Sequence, residues 1–179
     1  MKYLLAYTLF FFPIAGKAQL SVLTPSDGES SVGFKIKNFG IETDGIFTNV
    51  KGSITFTPDN ISASSFMVSV DASSINTNNN IRDKHLRKAD YFDVQTYPLI
   101  KITSTKVTPS TRPGTYFLFA KLSLKNTVKE ISFPFTATSQ KSGVLFSGIF
   151  KINRRDYGIG GHSITLADDL VVVLSVFAK

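Results

Sequence analysis

Ile131-Ser132-Phe133-Pro134-Phe135-Thr136-Ala137-Thr138 and, shortly after it, Val144-Leu145-Phe146-Ser147-Gly148-Ile149-Phe150-Lys151-Ile152 decide the fold class. In both, one side of a period-two alternation is apolar or small: Ile131, Phe133, Phe135 and Ala137, then Val144, Phe146, Gly148, Phe150 and Ile152. A period of two sends neighbouring side chains to opposite faces of a strand. Both segments therefore read as β-strands with one buried face. Pro134 has no N–H to give to a ladder, so its strand must have an unpaired edge or a bulge at that point.

The same alternation extends in both directions. Val32, Phe34 and Ile36 mark a first strand. Ile46, Thr48, Val50, Gly52, Ile54 and Phe56 mark one side of a second, and Phe66, Val68 and Val70 a third. Ile100 and Ile102 follow Pro98 in a fourth, and Tyr116, Leu118, Ala120, Leu122 and Leu124 mark a fifth. The two quoted segments are the sixth and seventh, and Leu170, Val172, Leu174 and Val176 mark the eighth. Turn residues separate them, as in Thr57-Pro58-Asp59-Asn60 and the stretch from Thr108-Pro109-Ser110 to Pro113-Gly114. Eight strands with one apolar face each cannot leave that face wet. They must close into a barrel or fold into a sandwich.

One segment departs from period two. After Asn78-Asn79-Asn80, where Asn suits a helix N-cap, Ile81 to Asp90 has Ile81, His85 and Ala89 at four-residue intervals. The spacing predicts an amphipathic helix of about ten residues with those three, and Leu86 beside them, on its apolar face. Asp83 and Arg87 stand as an i,i+4 pair.

Composition narrows the function classes. The 179 residues include no Cys, no Trp and two His. That excludes thiolate metal centres, a Cys nucleophile and a three-His zinc site within one chain. A metal role for His162 or a phosphate loop at Gly158-Gly160-Gly161 has no supporting pattern, and no cofactor motif is present. The net charge of +7 comes mostly from single Lys residues between apolar ones, as in Phe34-Lys35-Ile36-Lys37. Arg154-Arg155 is the longest basic run in the strand region, so no nucleic-acid-binding stripe is expected.

The N-terminus reads as an export signal. Lys2 precedes an apolar run from Tyr3 to Phe12, Pro13 ends it, and Gly16-Lys17-Ala18 offers a cut before Gln19. The run is too short for a membrane span. The expected organisation is a signal peptide over 1–18 and one domain over 19–179, periplasmic or secreted from a bacterium and not integral to a membrane.

The segment around the helix carries a resemblance. Ser73-Ser74-Ile75-Asn76-Thr77, Arg82-Asp83-Lys84-His85-Leu86, the stretch to Asp90-Tyr91-Phe92-Asp93, and Tyr97-Pro98 together resemble the YceI-like family. Asn38-Phe39-Gly40 with Gly45-Ile46-Phe47, Leu122-Ser123-Leu124-Lys125-Asn126-Thr127-Val128-Lys129, and Arg154-Arg155-Asp156-Tyr157-Gly158-Ile159 resemble further family segments. The likeness runs from about Ser31 to Ala178. Asn126 stands where the family has Gly, which Asn tolerates because it can adopt a left-handed backbone.

The resemblance implies an all-β, eight-stranded antiparallel lipocalin-like barrel with one short helix after the third strand. It also implies an apolar lumen that holds an isoprenoid lipid, such as a polyprenyl diphosphate or a prenylated quinone. On physical grounds eight strands enclose either a filled core or room for one small ligand. The inward positions expected to form the lining are Phe34, Ile36, Val50, Phe66, Val68, Ile102, Leu118, Phe133, Phe135, Phe146, Gly148, Phe150, Val172 and Leu174. Gly52, Ala120 and Gly148 are expected to leave space among them. Arg82, Asp83, His85 and Arg154 are the candidates for a head group at the mouth. Arg82 and Asp83 could equally dock the helix, His85 could be a packed histidine, and Arg154 could pair with Asp156 or Asp168. No catalytic residue is expected. The competing reading is a structural or interaction module with a packed interior, in a stress-related role, and the sequence allows a homodimer.

Overall fold

A computed structural model describes residues 21–179; the expected signal segment lies outside the described residues. The strands are β1 (Val22–Leu23), β2 (Ser31–Asn38), β3 (Ile41–Phe47), β4 (Lys51–Thr55), β5 (Ser65–Asp71), β6 (Leu99–Pro109), β7 (Thr115–Leu124), β8 (Thr127–Gln140), β9 (Gly143–Asn153) and β10 (Leu166–Ala178). One α-helix, α1 (Asn80–Leu86), lies between β5 and β6. Among the described residues no helix is long and apolar enough to cross a membrane.

The ten strands of the described residues belong to one antiparallel sheet in the order β1-β4-β5-β6-β7-β8-β9-β10-β2-β3. That order forces the sheet to curl. β3 and β4 are consecutive in the chain, yet seven strands lie between them in the sheet. Flat, those strands would hold the two roughly 40 Å apart at ~4.8 Å per spacing. The link Thr48-Asn49-Val50 can span no more than about 15 Å. The sheet therefore wraps round until its two ends meet. Single bridges fasten the closure, Ile46 to Asn76 and Pro25 to Ala178.

The alternation places the expected faces inside. Phe135 pairs with Gly148, Gly148 with Leu174, Leu174 with Val32 and Val32 with Phe47, a continuous row on the inner surface. The eight expected strands correspond to β2, the β3–β4 path, and β5 to β10. The second differs from its expectation. Asn49 adopts φ 58° and breaks the run into two strands; before the break the parity is the reverse of that expected, with Phe47 buried and Ile46 exposed, and the chain is already extended from Ile41. β1, two residues long, carries no alternation and was not expected.

Pro134 marks a real change of pairing. It faces Phe117 of β7 in register. The ladder between β8 and β9 runs from Phe135–Gly148 to Gln140–Gly143 and stops there. From Pro134 back to Thr127, β8 pairs with β7 alone, and Ile149–Asn153 pairs with β10 alone. The barrel wall thus has a seam between β8 and β9. Its open end is tied by Lys129 to Asp156 at 2.9 Å.

Four local expectations are corrected. The helix is seven residues long and does not bury Ile81, His85 or Ala89, all exposed. Its inner side is Arg82, Asp83 and Leu86, because polar contacts fix its rotation: Asn79 caps Ile81 N and Arg82 N, and Asp83 is buried. Asp83 and Arg87 do not pair; Arg87 donates to the carbonyls of Ser73 and Ile75. Gly52 leaves no space in the lumen. With φ 141° it lets β4 approach β5, and a β-carbon there would sit 1.9 Å from Met67 O. In the β7–β8 turn the left-handed residue is Lys125 (φ 53°), not Asn126. Lys125 Nζ donates from there to Ala89 O and Gly158 O.

Candidate functional site: an apolar lumen with a polar mouth

The inner faces do not meet completely. They enclose a cavity of about 210 Å³, larger than the ~150 Å³ apolar cavity that is known to admit benzene. Every residue of the expected lining contributes to it except Val50, which is buried in the core beside it. Sequence reasoning gave no inward position to Phe47, Tyr91, Phe92, Ile159 or Leu166, and put Leu86 on the helix's apolar side without placing it in the lining. Tyr91 and Phe92 sit in the irregular stretch after α1, where no period marks which side faces in.

The lumen has two unlike ends. Towards the β8–β9 turn, five rings interlock. Phe146 meets Phe56 and Phe66 edge-on at 5.3 and 5.4 Å, and Phe66 meets Phe135 at 5.2 Å. Tyr116 closes the group against Phe56 and Phe135. T-shaped and tilted contacts of this kind favour the quadrupoles of the rings. The cluster makes this a tightly packed, apolar end.

At the other end the lining includes Asn38, Thr43, Thr77 and Arg82. Asp83 is the anchor beneath them: one carboxylate oxygen accepts from Thr77 N at 2.9 Å and from Thr77 Oγ1 at 2.6 Å. Arg82 Nε donates to Thr77 Oγ1 at 2.7 Å and Nη2 to Thr77 O at 2.6 Å. Among the described residues Arg82 Nη1 has no hydrogen-bond partner and no carboxylate pairs with the guanidinium. Arg82 and Asp83 are thus not a pair with each other. Both bind Thr77, and this leaves a cationic edge at the mouth.

Arg154 also borders the cavity but is occupied. It is 2% exposed. Nε donates to Ala167 O; Nη1 reaches the carbonyls of Ile159, Gly160 and Gly161; Nη2 reaches Leu166 O and Asp168 Oδ1 at 2.8 Å. Every N–H is committed, so Arg154 clamps the loop between β9 and β10. Of the two expected partners it takes Asp168, while Asp156 binds Lys129. His85 does not reach the lumen. It is exposed, its ring against Tyr91 at 4.8 Å, in an outer cleft shared with Lys125, Arg155 and His162. Among the described residues no group of three or more His, Asp or Glu is placed to hold a metal.

These features define a class: a curled antiparallel β-barrel around an apolar cavity that is packed with aromatic rings at one end and polar at the other. Comparison with known proteins narrows it. The YceI-like domain family model matches residues 24–178, and the chain belongs to that family. A UPF0312 protein of Vibrio cholerae serotype O1 (strain M66-2) is 31% identical over 156 residues, which cover 82% of this chain and 81% of that one. Protein YceI of Escherichia coli O6:H1 is 38% identical over 77 residues, 42% of this chain and 40% of its own. Among solved structures, BcnA of Burkholderia cenocepacia superposes with a TM-score of 0.80 at 21% identity, over 85% of this chain and 98% of its own. A polyisoprenoid-binding domain from Saccharophagus degradans, implicated in plant cell wall breakdown, gives 0.72 at 14% identity, over 90% and 99%. Both share the fold.

Proposed function

We propose that this protein is an exported, non-enzymatic carrier that holds the chain of a long isoprenoid or similar amphiphilic lipid in the barrel lumen. The cavity, lined mostly by Phe, Leu, Ile and Val, carries this reading. Burial of a chain there gains about 25 cal/mol per Å² of apolar surface, less the cost of ordering it. The polar end supplies the second half of an amphiphile's requirements, because Arg82 keeps one N–H-bearing nitrogen free beside the lumen. The polyisoprenoid-binding description of the Saccharophagus degradans domain supports the same ligand class. The competing module with a packed interior is disfavoured by the cavity itself.

Organic extraction of the purified protein followed by mass spectrometry tests the reading, together with thermal unfolding in the presence of added polyprenyl lipids. One lipid per barrel, or a rise in midpoint with ligand concentration, is expected. An empty extract and an unchanged midpoint would return the interior to a purely structural role. Intact mass tests export: the exported chain should begin at Gln19, and a retained N-terminus would end that part of the proposal.

A further inference from the structure

Among the described residues the four most exposed large apolar side chains are Ile164 (94%), Ile81 (84%), Phe39 (75%) and Ile41 (70%). They come from three separate segments, yet each stands within two residues of a position that lines the polar end of the cavity. Phe39 follows Asn38, Ile41 precedes Thr43, Ile81 precedes Arg82, and Ile164 precedes Leu166. Two of the segments also touch. Asn38 pairs with Leu166, and Phe39 N donates to Thr165 O at 2.8 Å. Together they form a broken apolar rim at the mouth.

The turn at Phe39 sharpens the point. Phe39 and Gly40 both take positive φ, 51° and 76°, in the two-residue link between β2 and β3. Such turns favour Asn, Asp or Gly at the first position. A phenyl ring at that backbone angle, directed into water, gains nothing from the fold. The charges around the rim have one prevailing sign. Residues 36–43, 80–88 and 159–166 hold Lys37, Arg82, Lys84, Arg87 and Lys88 against Glu42 and Asp83, and Asp83 is buried and bound to Thr77.

We infer that the mouth rim is a membrane-docking surface: Phe39, Ile41, Ile81 and Ile164 enter the headgroup region of an anionic phospholipid bilayer while the surrounding Lys and Arg meet its phosphates. Apolar side chains backed by basic ones are what interfacial binding requires. This rests on the lipid-carrier reading above and adds to it the source from which the chain is drawn. With the rim in the interface, a chain leaving the bilayer enters the lumen without crossing water. The apolar continuity from rim to lumen favours a lipid surface over a second protein as the occupant.

Vesicle co-sedimentation tests this. The probes are phosphatidylglycerol–phosphatidylethanolamine vesicles and neutral phosphatidylcholine vesicles, with the N-terminus of the purified chain established by intact mass. The parent should bind the anionic vesicles more tightly, and less so at high salt. Two independent pairs, Phe39→Asn with Ile41→Thr and Ile81→Gln with Ile164→Ser, should each weaken that binding about ten-fold or more, as expected from withdrawing two apolar side chains. Met67→Ser and Ile149→Ser, exposed on the barrel wall, should leave it within about two-fold and serve as controls. Geranyl diphosphate in solution reads the lumen separately, and the rim pairs should bind it as the parent does. A parent that ignores anionic vesicles, or rim pairs that bind them undiminished, would overturn the docking surface. So would rim pairs whose only effect, by analytical ultracentrifugation, is the loss of a dimer. If geranyl diphosphate fails to bind the parent, the carrier reading is at fault instead.

Discussion

Phe133 and Phe150 lie face to face, ring centroids 4.5 Å apart and planes 15° from parallel, across the line where β8 and β9 have ceased to share backbone hydrogen bonds. The stack therefore holds by side chains a part of the wall that the backbone does not. Both rings also border the cavity, so the lumen and the seam share one structural support.

Phe150→Ala should lower stability by about 3–5 kcal/mol, the range for emptying a buried aromatic position. A double-mutant cycle with Phe133→Leu should assign about 0.5–1.5 kcal/mol of coupling to the stack itself. Urea unfolding of the four proteins measures both. Strict additivity would mean that the rings merely adjoin.

Gly148 faces the lumen, but its surroundings are full. A β-carbon there would lie 2.9 Å from Phe133 Cε2 and 3.1 Å from Phe133 Cδ2. Gly148→Ala must push Phe133 off its partner and should cost about 1–3 kcal/mol. Gly148→Phe should destabilise the barrel more severely rather than quietly occupy a ligand path. An unfolding midpoint for Gly148→Ala equal to the parent's would show that Phe133 yields freely.

Arg82 and Arg154, both candidates for a head group, are expected to behave differently. Arg154→Ala leaves its buried carbonyl partners unmatched and Asp168 with Arg155 alone at 3.6 Å, and should cost about 3 kcal/mol or more in stability. Its effects on charged and uncharged ligands should be alike. Arg82→Ala should weaken a polyprenyl diphosphate by about ten-fold or more, since a charge-assisted bond contributes about 1.5–3 kcal/mol. It should scarcely change a prenylated quinone of equal length. Titration calorimetry with the two ligands decides: equal losses at Arg82 would assign it to anchoring α1 alone.

Tyr157 gives a test in alkali. Burial, and secondarily the Asp156 carboxylate, push its hydroxyl above the ordinary tyrosine range. The folded chain then holds this proton more firmly than the unfolded one. The associated stability is fully present below about pH 10 and is lost as pH rises through the folded value. Tyr157→Phe has no such proton. The parent's stability relative to that variant, measured by urea unfolding on either side of about pH 10, should therefore fall as pH rises. A difference that is constant or grows with pH would contradict the linkage.

The sequence revealed the strands well where burial on one face imposes period two, and the lining followed from the same parity. It even located the seam, because Pro134 lacks a donor. It failed where another interaction overrode periodicity. Ile81, His85 and Ala89 have helical spacing, but Thr77 binding Asp83 and Arg82 turns the helix so that they face out. The value of Arg154 as a saturated clamp was invisible, since its partners are mostly backbone carbonyls of a glycine-containing loop, which carry no side-chain signature. Val50 has the parity of a lining residue, yet the bend at Asn49 displaces it.

The three-residue link between β3 and β4 also dictates an order of assembly. β5 to β10 can grow by adding neighbours in sequence, each strand pairing with the last. β2 cannot join until β10 exists, because among the described residues its strand partners are β3 and β10 alone, and its registered contacts with β10 reach from Ser31 to Ser175. Pairings so distant in sequence close slowly. Until the last strand is in place, β9 and β2 present open edges of the kind that aggregate. The cavity accordingly has no existence in any partial chain: it is created in a single late step, when the C-terminal strand is laid between two edges that have waited for it.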